Sequence, residues 1–266
     1  MTAGRITSLS LFTLGMILLV FNLAGLFKSL RNEDLYSEVT PYKDDITIRY
    51  EQACKLWDRG ENELAQDFAA RATMLVNHSM AHYWRDEGIR KYHLRVPLWE
   101  NYILTFRQWI TGQKKYEFRN YKKAIERGVG LCSQPCIALK YMLVENGISA
   151  DLWDLQQHIV VGATFGDGIE YTLDPDYGYV IPLGMHALQR NPNLVGEAYK
   201  NQDAVYASHV TDHKHTEDIV RMYTQAGNHI YQMKKPFEDF SYFAKWLLPM
   251  LMVLPYLLTL QKKKEI

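Results

Sequence analysis

The chain has 266 residues, 30 acidic and 30 basic side chains, and a pI near 7. That length allows one or two domains with a sizeable core, and the balanced charge excludes the basic footprint of a dedicated nucleic-acid binder. At 47% hydrophobic and 23% charged the composition also excludes a disordered or collagen-like chain. Three cysteines are too few for a disulfide scaffold, and their odd number leaves at least one unpaired within the chain. A mean hydropathy just below zero averages a polar middle and two apolar ends.

Residues 6–27 carry no charge between Arg5 and Lys28. As a helix they span roughly 33 Å, enough for a bilayer core of about 30 Å. A cleaved signal peptide has a shorter apolar region followed by small residues. No A-x-A pattern follows here, and Lys28-Ser29-Leu30-Arg31 comes next, so the stretch reads as an uncleaved anchor.

Residues 51–92 place Ala53, Leu56, Trp57, Leu64, Phe68, Ala69, Ala72 and Leu75 at helix-like spacing. Arg59-Gly60-Glu61-Asn62 breaks them into an expected helical hairpin, similar to one tetratricopeptide-like pair. No second copy follows at a fixed period, which makes a packing subdomain the expectation rather than a solenoid. Residues 98–127 read as further helix, with Trp99, Tyr102, Phe106, Trp109, Tyr116, Phe118 and Tyr121 among lysines and arginines. Such mixing also suits a nucleic-acid or sugar surface. The simpler expectation is an amphipathic helix with its rings in the core and its charges in solvent. Residues 29–127 are therefore expected to form a helical region.

The block that follows is more specific. Gly128-Val129-Gly130-Leu131-Cys132-Ser133-Gln134-Pro135-Cys136 leads into an apolar helix that stops at Asn146-Gly147. Pro135 suits a first helical turn and Gly147 a stop. Cys132 is thus expected at a helix N-terminus, where the dipole and free N–H groups favour a thiolate. Residues 148–154 and 158–164 read as strands, Gly166-Asp167-Gly168 as a hairpin turn, and residues 169–174 as the returning strand ended by Pro175. Residues 128–241 are expected to hold this core and a C-terminal extension.

His209, Asp212, His213 and His215 lie close together further on. Such a run can bind zinc, but it is more often a solvated loop, and no metal is expected. Residues 242–260 read as a second span despite Lys245, Pro249 and Pro255. Lys245 is near its end, where a lysine snorkels, and membrane helices tolerate proline. Lys262-Lys263-Lys264 favours a cytoplasmic C-terminus, which with two spans puts residues 29–241 outside the cytoplasm. Arg5 against Lys28 and Arg31 argues weakly the other way.

A thiol nucleophile needs a base, and an imidazole base needs a carboxylate to orient it. His158 starts one strand of the expected hairpin and Asp174 ends its partner, so pairing around the turn makes them cross-strand or diagonal neighbours. Cys132, His158 and Asp174 are the candidate catalytic triad, with Asp176 as the orienter if the register shifts by two. Taken singly, each has a bland alternative: an inert buried thiol, a core histidine, a turn-forming aspartate. A Cys132–Cys136 disulfide or zinc site fits poorly, because i, i+4 on one helix is an uncommon disulfide geometry and no full ligand set accompanies the pair.

Residues 128–182 resemble the transglutaminase-like superfamily, a branch of the papain-like thiol enzymes. The resemblance rests on G-V-G-L-C-S-Q at 128–134, N-G-I-S-A at 146–150, His158 before an apolar strand, and Y-T-L-D-P-D-Y-G at 171–178. It implies an α+β fold: a Cys-bearing helix packed on an antiparallel sheet, preceded by the helical region and flanked by two transmembrane helices. It also implies that Cys132 is the nucleophile, His158 the base and Asp174 the orienter in acyl chemistry on amides or esters. Animal relatives carry calcium sites and accessory β domains, for which this chain has no room. The Cys132 N–H is a partial oxyanion hole. Gln134 is a candidate to assist it, and Trp84, Trp99, Trp109 and Trp153 remain open for the same role.

The expected function is a membrane-anchored, extracytoplasmic cysteine hydrolase or acyltransferase acting on a protein or peptide, with no cofactor and no nucleic acid. The alternative is a catalytically silent adaptor of the same fold in an envelope or polysaccharide-assembly complex. A redox role for Cys132 and Cys136 ranks last, because C-x-x-x-C lacks the two-residue gap of redox motifs.

Overall fold

A computed structural model describes residues 3–36, 46–82, 88–155, 158–200, 220–223 and 235–262. In chain order the elements begin with α1 (Ala3–Gly25), α2 (Tyr50–Ala53), α3 (Ala65–Ser79), β1 (Ala81–His82), α4 (Leu98–Thr111) and α5 (Tyr121–Arg127). Then come β2 (Val129–Gly130), α6 (Ser133–Glu145), β3 (Ser149–Asp154), β4 (Ile159–Thr164), β5 (Glu170–Asp174) and β6 (Tyr179–Ile181). Last are α7 (Met185–Arg190), α8 (Asn193–Lys200) and α9 (Lys235–Lys262). The chain forms two compact units: Met1–Asn32, Gly88–Tyr116 and Lys234–Ile266 make one, Glu33–Glu87 and Glu117–Met233 the other. The stretch 29–127 is therefore shared between both.

The first unit is three helices, α1, α4 and α9. Ile6–Gly25 and Lys235–Leu260 are each long and apolar enough to cross a membrane. Their large apolar side chains, from Leu14 and Phe21 to Leu251 and Leu258, lie mostly exposed rather than in a core. The first helix ends at Gly25, two residues short of the apolar run. Gly25 sits so close to the Trp99 carbonyl that a Cβ would collide with it. The second helix starts at Lys235 rather than 242 and runs through Pro249 and Pro255. Its early turns are recruited by polar contacts: Tyr116 Oη donates to Glu238 (2.8 Å), and Asn101 Nδ2 to Ser241 Oγ (2.9 Å).

Within residues 98–127 the expected continuous helix is two helices. α4 stops at Gly112, which adopts the left-handed C-cap conformation, and α5 starts only at Tyr121, capped by Asn120. α4 is itself kinked at Asn101, whose Oδ1 accepts from the Ile103 and Leu104 N–H groups and so caps the second segment. Tyr102, Tyr116, Phe118 and Tyr121 are buried as expected, but Phe106 and Trp109 are about half exposed, and Arg127 is buried.

In the second unit the expected helical hairpin is not formed. Its first arm, α2, is a single turn, and Leu56 and Trp57 fall in the irregular stretch before α3. Arg71 replaces the missing helix as a brace. It donates to the Leu56 and Asp58 carbonyls and pairs with Glu63 at 2.7 Å. β1 and β2 form a short parallel ladder, Ala81 with Val129 and His82 with Gly130. The main sheet is an antiparallel meander, β3-β4-β5-β6. α6 packs on β3 and β4, α3 on α6, β5 and β6, α7 on β5, and α8 on β6. One buried cluster joins Val160, Tyr179, Ile181, Leu188, Val195 and Tyr199.

The start of α6 is fixed by Gln134, which is fully buried. Its Oε1 accepts from Phe118 N (2.7 Å) and Arg127 Nη2 (2.6 Å), and its Nε2 donates to Phe118 O (2.8 Å). Gln134→Ala leaves a buried guanidinium and two buried backbone groups short of partners. We expect it to cost about 2–4 kcal/mol. The check is thermal unfolding of the purified full chain. An unchanged midpoint would show that Gln134 does not hold the α6 start.

Candidate active site

Cys132 precedes the first turn of α6 and is half-buried. Gly128, with a φ of 70°, ends α5 and turns the chain into β2, and β2 delivers it directly to Leu131 and Cys132. His158 lies immediately before β4. The β4–β5 register pairs Val161 with Leu173 and Thr164 with Glu170. Continued, it sets His158 opposite Asp176 and diagonal to Asp174. The tight turn is closed by Phe165 N to Ile169 O (2.9 Å).

The side chains follow the diagonal. His158 Nε2 donates to Asp174 Oδ2 at 2.7 Å, with both groups buried. Cys132 stands close enough to the same imidazole to favour its charged form. Nε2 is taken by the carboxylate, so Nδ1 is the nitrogen left for sulfur. The structure thus brings Cys132, His158 and Asp174 together, with the His158–Asp174 hydrogen bond at the centre of the group.

Asp174 accepts from two further directions. Its Oδ1 receives Asp176 N (3.1 Å) and Tyr177 N (3.3 Å). Its Oδ2 also receives Tyr199 Oη (2.7 Å), which lies 3.2 Å from Tyr223 Oη. Tyr199 spends its only proton on the carboxylate, so Tyr223 must donate to Tyr199. Burial, reinforced by the charge of Asp174, pushes both phenols up and keeps them protonated donors. Tyr177 sets its ring edge-on against His158, with centroids 5.1 Å apart.

Asp176 is not the orienter of His158. Its carboxylate lies 2.7 Å from Nδ1 of His82. The turn carrying both aspartates is held by Asn77 Nδ2, which donates to the Pro175 and Asp176 carbonyls at 3.0 Å. A second histidine–carboxylate pair therefore stands beside the first. His82 and Tyr199 were not legible in sequence: the β1–β2 ladder joins distant residues, and Tyr199 reads as one more apolar helix position.

Several expectations change. Gln134 is unavailable as an oxyanion donor because its amide is committed to Phe118 and Arg127. Trp153 lies on β3 with Nε1 against Gly162 and its ring edge on His186. Trp99 and Trp109 belong to the first unit. Trp84 and the His209, Asp212, His213 and His215 run lie outside the described residues. Among the described residues no cluster of metal-ligating side chains occurs. All three cysteines are free thiols. Cys136 is fully buried, donates to Ile159 O (2.9 Å), and has its pKa raised well above the ordinary value by burial and then by Asp174.

No protein-family model, curated protein or solved structure matches this chain.

Burial opposes charge on His158, but the Asp174 charge and hydrogen bond, with the Cys132 thiol, raise its pKa well above 6.5. A raised folded value contributes stability fully below the unfolded pKa, and loses it as pH rises through the folded one. Thermal midpoints of wild type and His158→Gln should therefore differ most in mild acid and converge on going alkaline. A gap that widens with pH would rule out a charged imidazole as the stabilising group.

Proposed function

We propose that this chain is a membrane-anchored thiol hydrolase or acyltransferase of transglutaminase-like type, acting on amide or ester bonds of a protein or peptide outside the cytoplasm. The carrying observation is the buried His158–Asp174 pair with the Cys132 thiol beside its imidazole. The order of the three residues on a Cys-bearing helix and an antiparallel sheet also fits that superfamily. Two exposed apolar helices support the anchor, and the lysine triplet at 262–264 supports the side.

In this mechanism the Cys132 thiol passes its proton to Nδ1 of His158. The sulfur attacks the carbonyl carbon and forms an S–C bond. The imidazolium, steadied by Asp174, returns the proton to the leaving amine or alcohol as the C–N or C–O bond breaks. Water or an amine then attacks the thioester, gives a proton to His158, and releases Cys132. The two tyrosines behind Asp174 keep the carboxylate turned toward Nε2. The buried, hydrogen-bonded Cys136 is unsuited to attack, which supports Cys132 as the nucleophile.

The test is iodoacetamide labelling of the full-length protein in detergent, followed by peptide mass spectrometry across pH. Cys132 is expected to label quickly well below pH 8, and His158→Ala to slow it by about tenfold or more. Cys136→Ala should leave the Cys132 profile intact. Slow labelling with an ordinary thiol profile in both wild type and His158→Ala would overturn the enzyme reading in favour of the silent adaptor.

A further inference from the structure

The first unit contains a cavity of about 250 Å³ whose lining, among the described residues, includes Arg90, His93, Arg95, Leu98 and Trp109 and no acidic side chain. Two features mark it as more than a surface dent. The Nε of Arg95 is buried and makes no hydrogen bond with the described protein. A desolvated guanidinium N–H without an acceptor is costly, so such a group calls for a ligand oxygen or an ordered water. The cavity wall is also braced from behind, with Gln108 Oε1 accepting from Val96 N (2.8 Å) and Thr105 Oγ donating to Val96 O (2.8 Å).

Its position narrows the ligand. His93 donates from Nδ1 to the carbonyl of Leu30 (2.8 Å), just past the end of α1 at Gly25. Lys28 sits 5.7 Å over the ring of Trp99, at the same end. If α1 crosses a bilayer, this is headgroup depth. α4 packs against both α1 and α9, yet leaves Phe106, Trp109 and Ile110 exposed at 47%, 51% and 86%. An aromatic and aliphatic edge beside a cationic hole is the composition of a membrane interface, rings in the acyl boundary and arginines toward phosphate.

We propose that this cavity binds the phosphate of an anionic membrane lipid, with Arg90 and Arg95 holding its oxygens and Trp109 lying along the first carbons of its chain. The proposal rests on the membrane anchoring above and not on the thiol chemistry.

The experiment uses the full-length protein in dodecylmaltoside, with phosphatidylglycerol or phosphatidylcholine added and retained lipid counted by native mass spectrometry. Phosphatidylglycerol should be retained preferentially. Arg95→Gln should weaken it about fivefold. Arg90 is exposed, so Arg90→Gln should do the same without endangering the fold. Lys114→Gln, an exposed cation outside the lining, should have little effect. Equal retention of both lipids, or an equal loss in Lys114→Gln, would overturn the site while leaving the anchor standing. Retention of neither lipid would count against the anchor as well. Displacement of the lipid by millimolar inorganic phosphate would reassign the cavity to a free anion.

Discussion

The second unit is organised around one buried carboxylate. Asp174 is 1% exposed, and an isolated charge there would cost several kcal/mol. It is tolerated because four donors converge on it: His158 Nε2, Tyr199 Oη, and the Asp176 and Tyr177 amides. Each comes from a different structural commitment. The amides require the D-P-D-Y turn to close, His158 requires the β4–β5 register, and Tyr199 requires α8 to dock beside β6. A register slip by one residue would turn His158 to the other face of the sheet and strand the charge. The carboxylate thus selects one pairing of the sheet as well as orienting the imidazole.

The local parts of this arrangement were readable from residues. The D-G turn, the stop at Asn146-Gly147 and the Cys132 helix start are set by short-range chemistry, and they predict the α6-β3-β4-β5 order. The diagonal relation of His158 and Asp174 followed from counting around the turn. What escaped was long-range. Nothing near Ala81 or His82 announces a parallel pairing with Val129 and Gly130. Nothing near Tyr199 announces that its hydroxyl meets Asp174. Helical periodicity over residues 51–57 proved too little to nucleate more than one turn, since short helices are marginal without packing. The buried arginine Arg127 defeated the rule that charges face solvent, because Gln134 and the Val129 carbonyl give its guanidinium partners.

The first unit answers a different constraint. Its helices come from three separated stretches, and polar contacts join all three beside the apolar packing of α1 on α9. Lys245 Nζ donates to the Glu100 carbonyl (2.5 Å), the Lys245 carbonyl accepts from Asn22 (2.6 Å), and Tyr242 donates to Glu100 Oε1 (2.6 Å). Helices long and apolar enough to span a bilayer would, in lipid, gain little from oily side chains meeting each other. Hydrogen bonds and close approach then carry the specificity. That accounts for Asn22 and Lys245 inside otherwise apolar stretches, and for the glycine where α1 meets Trp99.

Cys132 and Cys136 stand close together in the chain but in different surroundings. They stand one helical turn apart at the start of α6, and both are without a disulfide. Cys136 points into the protein, loses all solvent, and gives its proton to a backbone carbonyl on β4, which favours the neutral thiol. Cys132 stays half-buried and meets an imidazole that is backed by a carboxylate. An anion on Cys136 would face Asp174 with no cation between them. Helix position alone does not make the difference. What differs is the neighbour: a backbone carbonyl for Cys136, the His158 imidazole for Cys132.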